Sequence, residues 1–522
     1  MPAPMMRGMM VDAARLPEKL EYYRRAIEFC SDWELNTLQF RLTDDQGSAM
    51  RFASVPDLLT HPNAFTPEQL GGLVEYGKAH GVDVLPEVEA FGHTGYITRS
   101  PRYAHLLDRD PKGSSEFTGV IPVHPETLEL MQKLFREVAA IFPSQYLHGG
   151  CDEVNWGGSE MSRKALAEKP RAQIWGEYLN ELNHVAQGLG KRFIVWGDFV
   201  LHKEPEILAR LDTSIVIMDW NYWDTGAIPF HDALAKVHAH GAQAIGAPGL
   251  ISYRWGARAG TEQLRNIDAF ADAYFGSDNA GSLGAILTNW VPTRYLQNAL
   301  WDGFAYGAVA FKEGSATAQT QGLRRFVERH WGAEWNERWS EALDLLYDAA
   351  PLYGERGANS PLDMKLVVPY SDETSFAAAM KRRREHLNPF THLRALLALV
   401  EPTVAKNLAD FRATLLSVQY LEALYWREDT IVEHAAAKTI DEATAQQMIE
   451  VIAERDQHMR DKLNEDWDSG RFADSPAKTG AVYGFQPKDE LLAQWSRAAA
   501  FTANVAAHPD KFYQLLRTAG LA

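Results

Sequence analysis

Cysteine is almost absent from this sequence of 522 residues. Cys30 and Cys151 are the only two thiols, which excludes a disulfide framework and a metal site built from several cysteines. Positive charge is also in deficit, since the formal net charge is −17. An acidic protein is repelled by a nucleic-acid backbone and by an anionic membrane, so neither is expected as a main partner. Neutral small molecules are left as the natural class of ligand.

Long apolar runs are missing as well. No uninterrupted apolar stretch approaches the length of about 20 residues that a membrane-spanning helix needs. The first residues also lack the apolar core of a secretory leader. We therefore expect a cytoplasmic protein. The remaining composition, 46% hydrophobic and 23% charged, is that of an ordinary globular chain.

Short apolar runs alternate with longer amphipathic stretches from Arg7 to about Ala310, as expected for βα units around a parallel sheet. The strand candidates are Gly8–Val11, Thr37–Leu42, Val82–Val88, Tyr146–Gly150, Arg192–Trp196, Ser214–Met218, Gln243–Ala247 and Ala285–Asn289. Eight such units predict a (β/α)8 TIM barrel, which usually takes about 250 residues. The alternative is an open doubly wound sheet, but no glycine-rich phosphate loop follows the first strand.

Helical patterns replace the strands beyond about residue 335, for example in Ser375–Arg384, Thr403–Arg427 and Ala443–Trp467. We predict a catalytic barrel over residues 1–334 and an all-helical C-terminal domain over residues 335–522. Aromatic side chains of this region, which include Tyr420, Tyr425 and Trp426, predict a surface through which a homodimer could form.

Two adjacent carboxylates, Asp152 and Glu153, follow a short apolar strand and the pair Gly149–Gly150. Neighbours within a strand point to opposite faces, whereas at a strand tip, where the backbone bends, both acids can turn toward one pocket. Two like charges a few Å apart repel by about 4 kcal/mol at an effective dielectric near 20. This repulsion raises the proton affinity of one member, which is what a general acid requires.

Chemistry in a barrel lies at the C-terminal ends of the strands. The other polar and aromatic residues at these ends are Asp12, Arg15, Asp44, Asp45, Glu87, Glu89, His93, Trp196, Asp198, Trp220, Asn221, Tyr222, Trp223, Tyr253, Arg254, Trp255, Asn289 and Trp290. Aromatic faces stack on the C–H faces of a pyranose, and charged side chains hold its hydroxyls. The set therefore predicts a sugar-binding site.

Four ordered motifs at these strand ends, Met10–Arg15, Leu42–Gly47, Leu85–Thr94 and His148–Glu153, resemble those of family 20 glycoside hydrolases, the β-N-acetylhexosaminidases. The resemblance covers most of the barrel and implies an exo-acting retaining enzyme without a metal or organic cofactor. Its implied substrate is a small oligosaccharide or glycoconjugate with terminal β-linked GlcNAc or GalNAc.

The resemblance implies substrate-assisted catalysis, in which the sugar's own acetamido oxygen attacks the anomeric carbon. Glu153 is then the general acid and base, Asp152 orients the acetamido N–H, and Tyr253 hydrogen-bonds the acetamido oxygen. The adjacency of Asp152 and Glu153 supports this mechanism independently of the resemblance. Two neighbouring residues cannot easily lie on either side of a sugar, one as acid and the other as nucleophile. The residues implied to bind substrate are Arg15, Asp44, His93, Trp196, Trp220 and Trp290.

The chain departs from the family pattern on the far side of this site. Cys151 stands where the family usually has a second glycine, and Arg254–Trp255 and Val291–Pro292 stand where acids that bind the outer hydroxyls are common. These departures put the preferred sugar in question. We also expect no small β-domain before the barrel, because the first strand begins near Met1.

Some of these residues could have a structural role instead of a functional one. His148 and Cys151 are expected to support the site rather than to react, and Arg15 could simply pair with Asp12. Of Asp44 and Asp45, we expect Asp44 to face the site and Asp45 to anchor the loop. Two other functions stay open: a sugar-binding protein that has lost catalysis, and a glycosidase that uses a carboxylate nucleophile on sugars without an acetamide.

Overall fold

The computed structural model describes residues 5–110, 118–251, 259–348, 369–383, 390–476 and 491–522. Eight parallel strands pair in chain order, and the first pairs with the last, so that the sheet closes into a barrel. The strands are β1 Met6–Asp12, β2 Thr37–Arg41, β3 Asp83–Glu87, β4 Tyr146–His148, β5 Arg192–Trp196, β6 Val216–Asp219, β7 Gln243–Gly246 and β8 Ser282–Asn289. This topology confirms the predicted barrel, and closure excludes the open sheet.

Strand alternation divides the apolar residues into two layers. Met10 on β1 and Leu85 on β3 belong to a small cluster inside the barrel. Met9 and Val11 on β1 belong to the larger cluster between strands and helices. The interior near the C-terminal strand ends is polar instead, and this is where the functional side chains gather.

Most strands are followed by helices that cover the outside of the barrel. They are α1 Leu20–Asp32, α2 Pro67–Ala79, α3 Pro125–Ile141, α4 Glu160–Glu168, α5 Arg171–Gly188, α6 Ile228–His240, α7 Thr261–Phe275 and α8 Trp301–Glu313. After β5 the connection is a π-helix, Asp198–Lys203, and a 3₁₀ helix, Pro205–Arg210, rather than an α-helix. The π-helix begins at the strand end and brings Asp198 and Lys203 to the barrel mouth.

Local signals for α2 are confirmed. The Thr66 hydroxyl accepts a hydrogen bond from the Gln69 N–H, and the Gln69 side chain accepts one from the Thr66 N–H, which forms the capping box. Other loops add short strands above the barrel: Thr43–Asp44, Gly47–Met50 and Thr60–Phe65 form one small sheet, and Leu107–Asp108 pairs with Gly119–Val120. A separate short strand, Gly249–Ile251, continues β7 and pairs with the end of β8.

The C-terminal part is helical where it is described, as predicted. Its helices are α9 Glu337–Asp348, α10 Glu373–Arg383, α11 Phe390–Val400, α12 Leu408–Ala436, α13 Glu442–Gly470, α14 Leu491–Ala506 and α15 Pro509–Thr518. Asp410 on α12 binds Arg25 of α1 at 2.6 Å and His330 at 2.9 Å. The barrel's apolar core also continues into this region through Phe411 and Leu393. The domain boundary at residues 334 and 335 stays a prediction.

One expectation about this region is wrong. Tyr420 is not a surface residue, because it is 1% exposed and packs edge-on against Trp495 at 5.7 Å. Tyr425 and Trp426 are partly exposed, and a dimer through this region stays a prediction. Within the described ranges, no helix combines the length and the apolar character needed to cross a bilayer.

Candidate active site

The turn after β4 carries the acid pair in an unusual backbone conformation. Cys151 and Glu153 have φ values of +74° and +46°, in a region that residues other than glycine seldom adopt. Gly150 also has a positive φ, and a Cβ there would lie 1.9 Å from Oε2 of Glu89. The same Glu89 oxygen accepts the Cys151 N–H at 3.0 Å. Such strain persists only where the surroundings hold it, and here Glu89 does so.

Two neighbouring loops complete this support. Gly92 lies so close to the turn that a Cβ would be 2.0 Å from the Asp152 carbonyl oxygen. On the other side, Oδ2 of Asp198 accepts the backbone N–H of Glu153 at 3.1 Å. The turn is therefore fixed between the loops that follow β3 and β5, which decides where the two acidic side chains point.

Both acids face the imidazole of His93. Its Nε2 lies 3.2 Å from Oε2 of Glu153 and 3.8 Å from Oδ2 of Asp152. The Glu153 side chain is 34% exposed and that of Asp152 only 8%. The structure thus places both acids in one pocket, with Glu153 toward the opening and Asp152 deeper.

A second pair of carboxylates lies on the other side of His93. Its Nδ1 is 3.3 Å from Oδ2 of Asp45 and 3.8 Å from Oδ1 of Asp44. Burial lowers the pKa of His93, but the charges of Asp152 and Asp44 outweigh burial and raise the pKa well above its usual value. The imidazole is therefore held as a cation between four carboxylates.

His93 also belongs to the two groups of side chains that could hold a metal among the described residues. One group is Asp44, Asp45 and His93, and the other is His93, Asp152 and Glu153. Metal binding needs a deprotonated imidazole, and the raised pKa of His93 opposes this. A metal at either group would therefore have to displace the proton that the surrounding carboxylates hold on His93.

The two catalytic candidates differ in their proton affinity. Burial raises the pKa of Asp152 to about 6, although His93 and Arg41 act in the opposite direction. Burial would also raise the pKa of Glu153, but the hydrogen bond and charge of His93 leave that pKa below its usual value. In the unliganded site, the proton affinity of Asp152 therefore rises and that of Glu153 does not. The resemblance, by contrast, gives the acid role to Glu153.

Arg41 forms the floor of the site. Its guanidinium lies 2.5 Å from Oδ2 of Asp44 and 2.8 Å from Oε1 of Glu89, and it also pairs with Glu87. Arg15 binds the same Asp44 oxygen at 3.0 Å and Asp12 at 2.9 Å. These cations hold the pKa of Asp44 far below its usual range against the effect of burial.

Aromatic rings border the pocket on the other side. The indole N–H of Trp290 donates to the Tyr222 hydroxyl at 2.7 Å, and the Trp220 ring stacks on Tyr222 at 5.2 Å. The guanidinium groups of Arg15 and Arg41 lie 5.2 and 5.0 Å from the centre of a Trp290 ring, within range of a cation–π interaction. Charged and apolar walls therefore meet at Trp290.

The predicted residues come together to different degrees. Arg15, Asp44, His93, Asp152 and Glu153 form one network of contacts. Asp45 accepts the Gly95 N–H at 2.8 Å, as a loop anchor would, but it also lies closer to His93 than Asp44 does, so the expected division between these two acids stays a prediction. The roles of these residues in binding and catalysis stay predictions.

The tryptophans are less uniform, and one predicted residue is not described. Trp196 is 1% exposed and donates its N–H to Glu87 at 2.9 Å, so it lies beneath the pocket. Trp220 is partly exposed and Trp290 is buried. Tyr253 lies outside the described residues, as do Arg254 and Trp255.

The two supporting residues behave as expected. Nδ1 of His148 accepts the Gly150 N–H at 2.9 Å, and the imidazole packs on Trp196 at 4.6 Å. Burial lowers the pKa of His148 to about 4, so it is neutral near pH 7. Cys151 is buried, and its thiol donates to the Gly149 carbonyl at 3.1 Å.

Two residues of the network, Arg41 and Lys203, were not predicted as site residues. Glu87, Glu89, Asp198 and Tyr222 were expected at the strand ends, but no individual role was assigned to them. A signal existed for Arg41, because Gln39 and Arg41 alternate with Leu38 and Phe40 along a buried strand, and alternation sends them to the barrel interior. Lys203, which binds Asp198 at 2.8 Å, depends on the π-helix and had no such signal.

The curated relatives of this chain include β-hexosaminidases. The chain is 29% identical over 250 residues to a β-hexosaminidase of Vibrio furnissii, a match that covers 41% of this chain and 39% of that protein. It is 26% identical over 208 residues to a β-hexosaminidase subunit beta of Felis catus, with coverage of 36% and 38%. The chain thus spans about two fifths of the length of these curated relatives.

This chain is also similar to solved structures. A GH20 exo β-N-acetylglucosaminidase of Vibrio harveyi in complex with N-acetylglucosamine aligns with a TM-score of 0.47 and 20% identity, over 61% of this chain and 54% of that one.

A family model extends the sequence comparison over the site itself. The model described as "Glycosyl hydrolase family 20, catalytic domain" matches residues 5–269, half of the chain. The matched range contains β1 to β7, the His93 loop and the turn with Asp152 and Glu153. This chain therefore belongs to glycosyl hydrolase family 20.

Proposed function

We propose that this protein is a retaining exo-β-N-acetylhexosaminidase that releases terminal β-linked GlcNAc or GalNAc by substrate-assisted catalysis. The observation that carries the proposal is the shared position of Asp152 and Glu153, which approach the same nitrogen of His93 from one strained turn. Family membership and the β-hexosaminidase relatives support the same reaction.

The geometry supports different roles for the two acids. Glu153 is the more exposed and lies at the opening, where the bond to the leaving group would be. It donates a proton to the glycosidic oxygen as the C1–O bond breaks. The acetamido oxygen attacks C1 from the opposite side, and the bond it forms closes an oxazolinium ring. Asp152, deeper and ionised, accepts the acetamido N–H and stabilises the positive ring.

Hydrolysis of the intermediate completes the cycle. Glu153, now ionised, takes a proton from a water molecule, whose oxygen attacks C1 and opens the ring. The sugar leaves with the configuration it had, and Glu153 is again protonated. A direct nucleophile would instead need a second carboxylate about 5 Å away across the sugar, and neighbours on one turn do not flank a sugar in this way.

Substrate binding explains how a carboxyl with a lowered pKa can act as an acid. The imidazolium holds a proton 3.2 Å from Oε2 of Glu153 and is held in turn by Asp45 and Asp44. A sugar in the pocket removes water from the exposed part of Glu153, and such burial raises the pKa of a carboxyl. The pKa of Glu153 is then closer to the range in which this carboxyl can hold and donate a proton.

Specificity follows from the wall around Trp290. Val291, with φ of +57°, and the buried Pro292 follow this tryptophan, so the loop offers no carboxylate at these positions. We propose that the outer hydroxyls of the sugar are recognised by Arg15 and by the aromatic wall. We expect the preference between GlcNAc and GalNAc to be weak, because positions 291 and 292 carry no carboxylate that would distinguish an axial from an equatorial C4 hydroxyl.

A panel of nitrophenyl glycosides that varies the 2-substituent and the C4 configuration tests the proposal. N-acetyl-β-glucosaminide and N-acetyl-β-galactosaminide should be hydrolysed, whereas β-glucoside should not, and a thiazoline mimic of the oxazolinium should inhibit. Turnover of β-glucoside with trapping by a fluorosugar would favour a carboxylate nucleophile. Binding of N-acetylglucosamine without turnover of any glycoside would favour a sugar-binding protein.

A further inference from the structure

Arg471 reaches the barrel from the C-terminal helical region. It directly follows α13 and is 3% exposed. Its Nε lies 2.9 Å from Oε1 of Glu18, and its Nη1 and Nη2 donate to the carbonyl oxygens of Tyr295 and Pro292 at 3.2 and 2.9 Å. The guanidinium also lies 4.6 Å from the centre of a ring of Trp467. A buried cation with this many partners is held in one place.

The partners of Arg471 belong to two adjacent loops that border the sugar pocket, those after β1 and β8. Glu18 follows β1 on the loop that begins with Asp12 and Arg15, and Pro292 and Tyr295 follow Trp290 on the loop after β8. The loops also contact each other, because Gln297 donates to Glu18 at 2.9 Å. Arg471 therefore connects the residues on both sides of this junction.

The loop after β8 needs such support. Val291 has a left-handed backbone, with φ of +57°, which is costly for a β-branched residue. Its N–H donates to Oδ2 of Asp12 at 3.1 Å, and the same oxygen binds Arg15 at 2.9 Å. A shift of the backbone at residues 291–295 would therefore disturb Asp12 and, through it, Arg15.

The end of α13 packs closely on this loop. A Cβ at Gly470 would lie 2.5 Å from Oε1 of Gln297, so the helix end approaches as near as a glycine allows. Arg471 then continues in extended conformation, with φ of −111° and ψ of 174°, which carries its side chain under the two loops. The contact is thus built from both the backbone and the guanidinium.

We propose that Arg471 is a positioning residue of the sugar site, through which the C-terminal helical region holds Trp290 and the Asp12–Arg15 pair in their working arrangement. The inference rests on the proposed function, since it assigns a role within that site. Within the described residues, the polar partners of Arg471 are Glu18, Tyr295 and Pro292, and neither acid of the catalytic pair is among them. Its effect should therefore appear in substrate binding more than in the chemical step.

Arg471→Lys tests this inference, with Arg427→Lys as the matched control. Arg427 is also buried in the helical region, where it pairs with Asp456 at 2.9 Å and donates to the Tyr370 carbonyl at 2.9 Å. Lysine keeps the positive charge in both variants. It lacks the planar guanidinium, however, and so cannot donate to several acceptors at once as arginine does. Thermal unfolding and the kinetics of aryl N-acetyl-β-glucosaminide hydrolysis are then measured on the full-length variants.

For Arg471→Lys we expect KM to rise about tenfold and kcat to change by less than about threefold, because contacts made equally in the ground and transition states are lost. For Arg427→Lys we expect a lower Tm with KM and kcat as in the wild type. Equal kinetic changes in the two variants, or none in Arg471→Lys, would overturn the role of Arg471. A wild-type protein that hydrolyses no glycoside would instead refute the proposed function.

A double variant separates positioning from charge pairing. Arg471→Met alone leaves Glu18 buried and unpaired, which destabilises the protein. Adding Glu18→Gln removes that charge and should return Tm toward the wild-type value. We expect KM to stay high in the double variant, because the carbonyl oxygens of Pro292 and Tyr295 still lack the hydrogen bonds that Arg471 donates. Recovery of both Tm and KM would show that Arg471 serves only to neutralise Glu18.

Discussion

Nε2 of His93 lies 3.2 Å from Oε2 of Glu153, and the imidazole is a buried cation. This relationship controls the proton affinity of the pocket. It keeps the pKa of Glu153 low in the unliganded site and limits the rise in the pKa of Asp152. The pH dependence of activity should therefore report on His93.

We expect kcat/KM to fall as the pH drops below about 6. Burial raises the pKa of Asp152 to about 6, and the proposed mechanism needs Asp152 ionised to accept the acetamido N–H. His93→Gln removes the positive charge that favours ionised Asp152, so the acid limb should move to higher pH. Profiles of kcat/KM between pH 4 and 9 measure the shift. An acid limb at the same pH in both proteins would contradict the assignment to Asp152.

Glu153→Gln should reduce activity most on substrates whose leaving group needs a proton to depart. General acid catalysis is typically worth about 10²–10⁴-fold, and a good leaving group needs it least. Rates measured on aryl N-acetyl-β-glucosaminides of graded leaving-group pKa should therefore diverge from those of the wild type as the leaving group becomes more basic. Asp152→Asn is the comparison, since it should slow all these substrates alike. A Glu153→Gln variant as active as the wild type on every leaving group would remove Glu153 from the acid role.

Asp152→Asn should stabilise the protein while it lowers activity. A rise in the pKa of Asp152 from 3.8 to about 6 costs the folded state at most about 3 kcal/mol once the group is ionised. The contribution of protonated Asp152 to the free energy of unfolding is fully present below pH 4 and is lost as the pH rises through 6. Asparagine avoids this loss, so its advantage should be small at pH 4 and largest above pH 7. Chemical denaturation at several pH values measures it, and a constant difference would argue against a raised pKa.

Gly92→Ala should damage both stability and catalysis. A Cβ there would lie 2.0 Å from the Asp152 carbonyl oxygen, so the turn must shift. Overpacking of this kind typically costs about 1–3 kcal/mol, and a displacement of about 1 Å at a reacting group can cost about 10²-fold in rate. Gly72→Ala is the control, because α2 leaves a Cβ free space there, and alanine should add about 0.5–1 kcal/mol of helix stability. Wild-type kinetics in Gly92→Ala would show that the turn tolerates movement.

Much of the barrel could be predicted from the sequence, because the patterns that indicate its strands and helices are local. A strand such as Arg192–Trp196 was predicted with the bounds it has in the structure, since a run of apolar residues between helical patterns has few other solutions. The acid pair was predicted from a local signal too, because two adjacent carboxylates suit a strand tip better than a strand interior. Where a local signal was ambiguous the prediction was weaker, as with Tyr420, whose burial depends on Trp495 at a distant position in the chain.

The sequence by itself determined the eight strands, the order in which their ends meet, and the adjacency of Asp152 and Glu153. Only the tertiary structure decided how these acids are tuned, because pKa values depend on groups brought together from separate strands, here His93, Arg41 and Asp198. The contact between Arg471 and Glu18, which are 453 positions apart, is the extreme case. No local pattern encodes a buried ion pair between distant segments, since its energy exists only once the fold has removed both groups from water.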